Sequence, residues 1–317
     1  MNQKGIRYVH SAPPSQESRD FQALLYEQNG KTLFTSAVAG TVNKSLLKQL
    51  AGMEDILTAA PIPDSLLQLC ELNTQSIQGR AVWTLMPRAG ASGKLIFYIH
   101  GGGYVINITN AHWQYLEQLC RATGATLVVP DYPLAPAATF TETYTFIEAA
   151  YNMATAHVDP AQISIVGDSA GGGLTLGFAQ KRRNEGRSLP KRIVVLSPWL
   201  DATLTNMDID AIDDRDHLLG TRGLVRSGLA YAGGHDPRDY RISPIYGRFD
   251  GLPPLAIFQG THDIFAADTR KLVAQMEHAG IEVDYFEFPG QCHVWAIFPL
   301  PESQVAIEKI AELVRKE

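Results

Sequence analysis

Ser169 stands at the centre of Gly167-Asp168-Ser169-Ala170-Gly171. The apolar run QISIV ends just before this pentapeptide and the helix-like GGGLTLGFAQKRR begins just after it, so the serine falls on a sharp strand-to-helix turn. Such a turn strains the serine backbone and exposes its hydroxyl above a sheet, while the new helix aims its amides and positive dipole end at the same spot. A serine hydroxyl becomes a nucleophile when a base takes its proton and an acid orients that base. On this kind of turn the acid and then the histidine follow the serine along the chain. The histidines beyond it are His217, His235, His262, His278 and His293. His217 and His235 lie in a long insertion, His278 inside an amphipathic helical stretch, and His262 too close to the acid to partner it. His293, in FPGQCHVW, follows the last strand-like run, where a side chain can fold back over the sheet. For the acid, LAIFQGTHDIFAAD offers Asp263 and Asp268. Asp263 comes a few residues after a strand and is preferred, whereas Asp268 reads as a first-turn helix residue favoured by the dipole.

A second signal is His100-Gly101-Gly102-Gly103-Tyr104, directly after the strand-like KLIFYI. Acyl transfer builds negative charge on a carbonyl oxygen, and preformed amide donors stabilise it best where water is excluded. Consecutive glycines let a loop approach substrate closely and present N–H groups inward, and a loop of this type is the usual partner of the serine elbow's own amide. Chance would place HGGG about 0.006 times in a chain of this composition, so the pairing with GDSAG is specific. His100 reads as a loop anchor, with Gly101 in support, and Asp168 as a hydrogen-bond partner of the glycine loop. Tyr104 and Trp199, beside these motifs, are expected to line the substrate cavity. Asp213, Asp214 and Asp216 fit no carboxylate metal template and read as a solvated acidic turn.

Elements that could position these groups alternate along the chain. The β-rich runs cover residues 94–99, 126–130, 162–167, 192–197 and 255–259, and helical stretches cover 111–123, 141–156, 170–185 and 266–279. This rhythm marks an α/β protein with a mostly parallel central sheet flanked by helices. EVDYFEF (282–288) alternates as a half-exposed edge strand would. Residues 1 to about 70 carry Leu24, Leu25, Leu46, Leu47, Leu50, Leu66, Leu67 and Leu69 but no β-run, and read as helices and loops. Residues 201–242 are too long for an ordinary connection and read as a functional lobe. One domain is expected over 1–317, with a catalytic core at about 71–200 and 243–317 and a helical cap from about 1–70 and 201–242.

Composition narrows the classes. With 27 Lys+Arg against 33 Asp+Glu, the formal charge of -6 argues against nucleic acid as a partner. No apolar stretch is long enough to span a membrane, and the first twenty residues lack a signal-peptide core, so a cytoplasmic protein without stable membrane association is expected. Cys70, Cys120 and Cys292 suggest neither a disulfide framework nor a zinc site.

Taken in order, HGGGY, DYPLAP, GDSAGGG, SPWLD, GLPPLAIFQGTHD and GQCHVW resemble the hormone-sensitive-lipase-like branch of the α/β-hydrolase esterases over about residues 94–295. The resemblance implies an α/β-hydrolase fold with a helical cap, a triad of Ser169, Asp263 and His293, and an oxyanion hole from the Gly102, Gly103 and Ala170 amides. It further implies hydrolysis of carboxylic esters, commonly with short acyl chains, without cofactor or metal. The expected partner is a small-molecule ester, and a homodimer is left open. Two rivals stand beside this reading: a non-catalytic small-molecule receptor on the same fold, and an acyltransferase or amidase using the same acyl-enzyme. Pro133 and Ala137 depart from the family pattern, which has arginine and glutamate there.

Overall fold

A computed structural model describes residues 5–40 and 56–316. The expected leucines Leu46, Leu47 and Leu50 lie outside those residues. The described chain forms one nine-stranded sheet, and its order follows from chain order with few crossovers.

Strand β1 (Arg7–Val9) is followed by helices α1 (Gln16–Glu27), α2 (Leu33–Val38) and α3 (Asp64–Leu69). Then come β2 (Cys70–Ile77), β3 (Arg80–Pro87), β4 (Leu95–Ile99), α4 (Asn110–Thr123), β5 (Thr126–Pro130) and α5 (Phe140–Thr155). The nucleophile region is β6 (Ile163–Asp168) and α6 (Ser169–Asn184), followed by β7 (Arg192–Leu196). The insertion holds α7 (Asp210–Asp213) and α8 (Thr221–Ala232). The chain closes with β8 (Leu255–His262), α9 (Ala266–His278), β9 (Val283–Cys292) and α10 (Pro301–Arg315). The sheet order is β1-β9-β8-β7-β6-β4-β5-β3-β2, and only the β2–β3 and β3–β5 pairings are antiparallel.

The central strands are apolar throughout because helices cover both faces. Successive residues of β7 and β8 go to opposite layers: Val194, Leu196, Ala256 and Phe258 join the larger core, and Ile193, Val195, Leu255 and Ile257 the smaller one. The period of two thus fills two cores at once.

Two features differ from expectation. Strand β1 lies in the N-terminal stretch read as strand-free, and it pairs in parallel with β9, so β9 is flanked on both sides and is not an edge. Three residues are too short to show an alternation. The β2–β3 hairpin, closed by Gln78 and Gly79 with φ of 52° and 79°, escapes an apolar-run reading because most of β2 is exposed and polar. The N-terminal helices and the insertion pack on each other: Lys31 Nζ bonds Asp213 Oδ2 at 2.8 Å, and Gly223 sits against Thr35.

Candidate active site

Ser169 follows β6 directly with a φ of 50°, the left-handed region that serine rarely adopts. The strain is held from several sides. Its carbonyl accepts from the Trp199 amide at 2.9 Å, and a β-carbon at Gly171 would collide with the Ile99 carbonyl oxygen. A side chain larger than hydrogen has no room where helix α6 crosses β4.

Register brings the other two groups together. His262 opposes Cys292 in the parallel β8–β9 pair, so the next residue of each strand, Asp263 and His293, leaves the sheet beside its counterpart. His293 Nδ1–H donates to Asp263 Oδ2 at 2.9 Å, and His293 Nε2 lies 2.9 Å from Ser169 Oγ, placed to accept its proton. Asp263 is fully buried and its remaining capacity is used: Gln259 Nε2 donates to Oδ2 at 2.8 Å and the Phe265 amide to Oδ1 at 2.9 Å. Burial works against a charged His293 ring, but the Asp263 carboxylate outweighs it and raises the histidine pKa above its ordinary value. The loop carrying His293 is clamped twice. The Val294 amide donates to Ser197 Oγ at 3.1 Å, while from α1 Gln22 Nε2 donates to the Gly290 carbonyl at 2.9 Å and Ser18 Oγ to Gln291 Oε1 at 2.7 Å.

The glycine loop meets the serine from the other side. Gly102 has a φ of 112°, and a side chain there would strike the Ile106 carbonyl. Its own carbonyl accepts from the Val105 and Ile106 amides at 3.1 and 2.9 Å. His100 is buried, donates from Nδ1 to the Gly101 carbonyl at 2.7 Å and stacks on Tyr132, whose hydroxyl donates to the His100 carbonyl. Burial lowers its pKa to about 3, so it stays neutral.

Asp168 accepts from the Gly101 amide at 2.9 Å and the Tyr98 hydroxyl at 2.6 Å, which ties the glycine loop to the serine turn. Its second oxygen lies 3.3 Å from His112 Nε2. Burial pushes the Asp168 carboxyl up, but the His112 ring more than offsets this and leaves it below its ordinary value. His112 is the residue that sequence reading passes over. Its only local trace is the Thr109-x-x-His112 spacing at the start of α4, which reads as a helix cap: the Thr109 amide donates to His112 Nδ1 at 3.0 Å.

The cavity above Ser169 measures about 80 Å³. Its walls include Leu33 and Phe34 of the N-terminal segment, Leu218 of the insertion, and Ile106, Ile297 and Phe298, with Gly102, His112 and His293 at its polar end. Tyr104 and Trp199 do not line it. Each is 1% exposed, and they belong to a buried stack running Tyr231, Tyr104, Trp199, Phe265, whose last ring meets His293 edge-on at 5.0 Å. Tyr104, with a φ of 65°, turns away from the loop it follows. Asp216 is the second correction: it is fully buried and bonded to backbone amides, not solvated. Asp268 sits in the first turn of α9 as expected, but its carboxyl accepts from Asn206 Nδ2 at 3.0 Å and burial raises its pKa to about 6. Among the described residues, no cluster of three or more His, Cys, Asp or Glu is placed to hold a metal, and no helix is long and apolar enough to cross a membrane.

A buried serine facing a carboxylate-backed histidine, at the ends of parallel strands, is the arrangement that acyl transfer requires. The chain belongs to the α/β-hydrolase fold family, whose model matches residues 96–297. Within it the chain falls in the hormone-sensitive-lipase-like esterase branch and is a carboxylic ester hydrolase. An acetyl-hydrolase of Streptomyces hygroscopicus is 33% identical over 230 residues, covering 72% of this chain and 77% of that protein. An esterase of Acinetobacter venetianus is 29% identical over 284 residues, covering 85% and 93%. The crystal structure of an esterase from the bacterial hormone-sensitive lipase family superposes with a TM-score of 0.80 at 27% identity, covering 96% of this chain and 99% of that one.

Proposed function

We propose that the esterase works through an acyl-enzyme on Ser169. His293 Nε2 takes the hydroxyl proton as Ser169 Oγ bonds to the ester carbonyl carbon. The oxyanion is held by the amides of Gly102, Gly103 and Ala170, the last a first-turn amide with no partner inside its own helix. Asp263 keeps the His293 proton on Nδ1 and stabilises the imidazolium. The imidazolium then protonates the leaving alcohol oxygen as the ester C–O bond breaks. In the second step His293 takes a proton from water, whose oxygen attacks the acyl carbon, and returns it to Ser169 as the acid departs. The observation that carries this reading is the pair of 2.9 Å contacts through which one buried histidine joins Asp263 to Ser169.

The partner is a small-molecule ester, and no step calls on a cofactor. The N-terminal helices, with residues 201–242, serve as the cap over a core of about 71–200 and 243–317, although β1 belongs to the core sheet. A small cavity walled by Phe34, Leu218 and Ile297 favours short acyl chains, roughly two to six carbons. Each methylene gains about 0.8 kcal/mol while it fits, and the first that does not must displace Phe34, Ile297 or Leu218 at typically about 1–3 kcal/mol.

Labelling with a fluorophosphonate, read by peptide mass mapping, tests the nucleophile and its base together. The adduct is expected on the peptide containing Ser169 and absent in Ser169→Ala; an adduct elsewhere would sink the reading. Rates along p-nitrophenyl esters from acetate to palmitate test the cavity, and a maximum at twelve carbons or more would overturn the short-chain preference.

A further inference from the structure

One buried carboxylate beside the site has no part in the scheme above. Asp216 comes from the insertion, is fully buried, and accepts three backbone amides: Leu218 at 2.9 Å and Leu219 at 2.8 Å on Oδ1, and Ile264 at 2.9 Å on Oδ2. Ile264 directly follows Asp263, and the next amide, that of Phe265, goes to Asp263 itself. Two carboxylates from distant segments therefore grip successive amides of one loop. They share one basic neighbour, because both Asp216 and Asp263 act on the His293 ring. The other charged side chains near Asp216 are engaged elsewhere. Arg215 donates to the Ala211 carbonyl, Asp213 pairs with Lys31, and the His217 ring bonds the Gln22 carbonyl. Across from it on β9, Cys292 is buried and its thiol is pushed far up, mainly by burial. Burial, with the adjacent Asp263 charge, raises the Asp216 carboxyl above its ordinary value. An ionised Asp216 is thus best tolerated when His293 carries a proton, the state that arises as Ser169 attacks.

We propose that Asp216 is a positioning residue for the reaction: through the Ile264 amide it fixes the loop that aims Asp263 at His293, and through its charge it favours the imidazolium. This rests on the acyl-enzyme reading. It also makes the insertion part of the triad's support, since Leu218, two residues on, lines the cavity.

The test is steady-state hydrolysis of p-nitrophenyl acetate against pH by the full chain, comparing wild type with Asp216→Asn and Asp216→Ser. Asparagine keeps the shape and removes the charge; serine, smaller and neutral, is read instead if the first variant does not fold. A displaced acid loop should lower kcat by up to about 100-fold with little change in KM. The imidazolium, losing a negative neighbour, should titrate lower, so the acidic inflection of kcat/KM should move down by about half a pH unit or more. An inflection that stays in place, whatever happens to stability or kcat, overturns the proposal and leaves Asp216 a structural residue. Ser169→Ala separates the two readings. If it retains turnover, the acyl-enzyme scheme fails; if it is dead while the inflection in the Asp216 variants is unmoved, only the positioning role fails.

Discussion

Two buried histidine–aspartate pairs flank Ser169, and they differ in what the second ring nitrogen meets. In His293–Asp263 the carboxylate takes Nδ1–H and leaves Nε2 facing the serine oxygen at 2.9 Å. In His112–Asp168 the ring turns Nε2 toward the carboxylate, while Nδ1 is occupied by the Thr109 amide and lies 2.7 Å from the Thr109 hydroxyl. On the proposed scheme the same two residue types yield a base in one place and a clamp in the other. Neither the pair nor its burial makes a general base; a free nitrogen aimed at the proton does.

The largest effect should come from removing what both pairs surround. Ser169→Ala is expected to cut turnover by about six orders of magnitude with the fold intact. Retention of a tenth of the activity would dissolve the comparison altogether. Next, Asp263→Asn should cost about 10⁴ in kcat, because the amide cannot hold the required tautomer. Asp168→Asn should cost less, about 10²–10³, by loosening the Gly101 amide and with it the oxyanion loop. Equal losses in these two variants would mean that the pairs do not divide the work.

The pH profile sharpens the same contrast. His293 must be neutral to accept the proton, and its pKa is raised, so kcat/KM should rise with pH through an inflection above the ordinary histidine value of about 6.5. Asp263→Asn should lower that inflection, since its carboxylate supplies the main raising interaction. Asp168 acts on the ring more weakly, and its replacement should shift the inflection less. A larger shift from Asp168 would reverse the assignment of base and clamp.

Asp268→Asn should have the smallest kinetic effect, within about twofold, because no bond joins its carboxyl to the reacting atoms. Its effect lies in stability. The folded-state pKa of about 6 exceeds the unfolded value near 3.9, so the folded protein holds this proton more tightly. Raising pH from about 4 to about 6 therefore lowers stability through this group, and the asparagine variant should lack that part of the decline. Thermal midpoints of both proteins across this range check it.

What could be read from sequence was whatever chemistry the local chain imposes. The Ser169 turn needs only a strand, glycines and a helix within ten residues, and the glycine loop likewise carries its purpose in four. Asp263 and His293 were legible because each follows a strand, and parallel neighbours deliver such residues to the same end of a sheet. His112 and Asp216 were not, because their meaning depends on partners far along the chain. Alone, one is a residue in a helix's first turn and the other an acid among acids. Tyr104 and Trp199 misled for a related reason: adjacency to a motif in sequence does not say whether a ring faces the cavity or the stack behind it.

The anchoring of the His293 loop by α1 constrains how this enzyme could be altered. The segment that places Phe34 against the cavity also supplies Ser18 and Gln22, which hold Gln291 and Gly290 in place. Exchanging it for a homologous stretch to widen substrate range would loosen the loop that carries His293, the proposed base, in the same stroke. Breadth and rate are tied there by one N-terminal segment, whose first helix holds the His293 loop and whose second places Phe34 at the cavity, so directed evolution of selectivity has more freedom at Leu218 or Ile297.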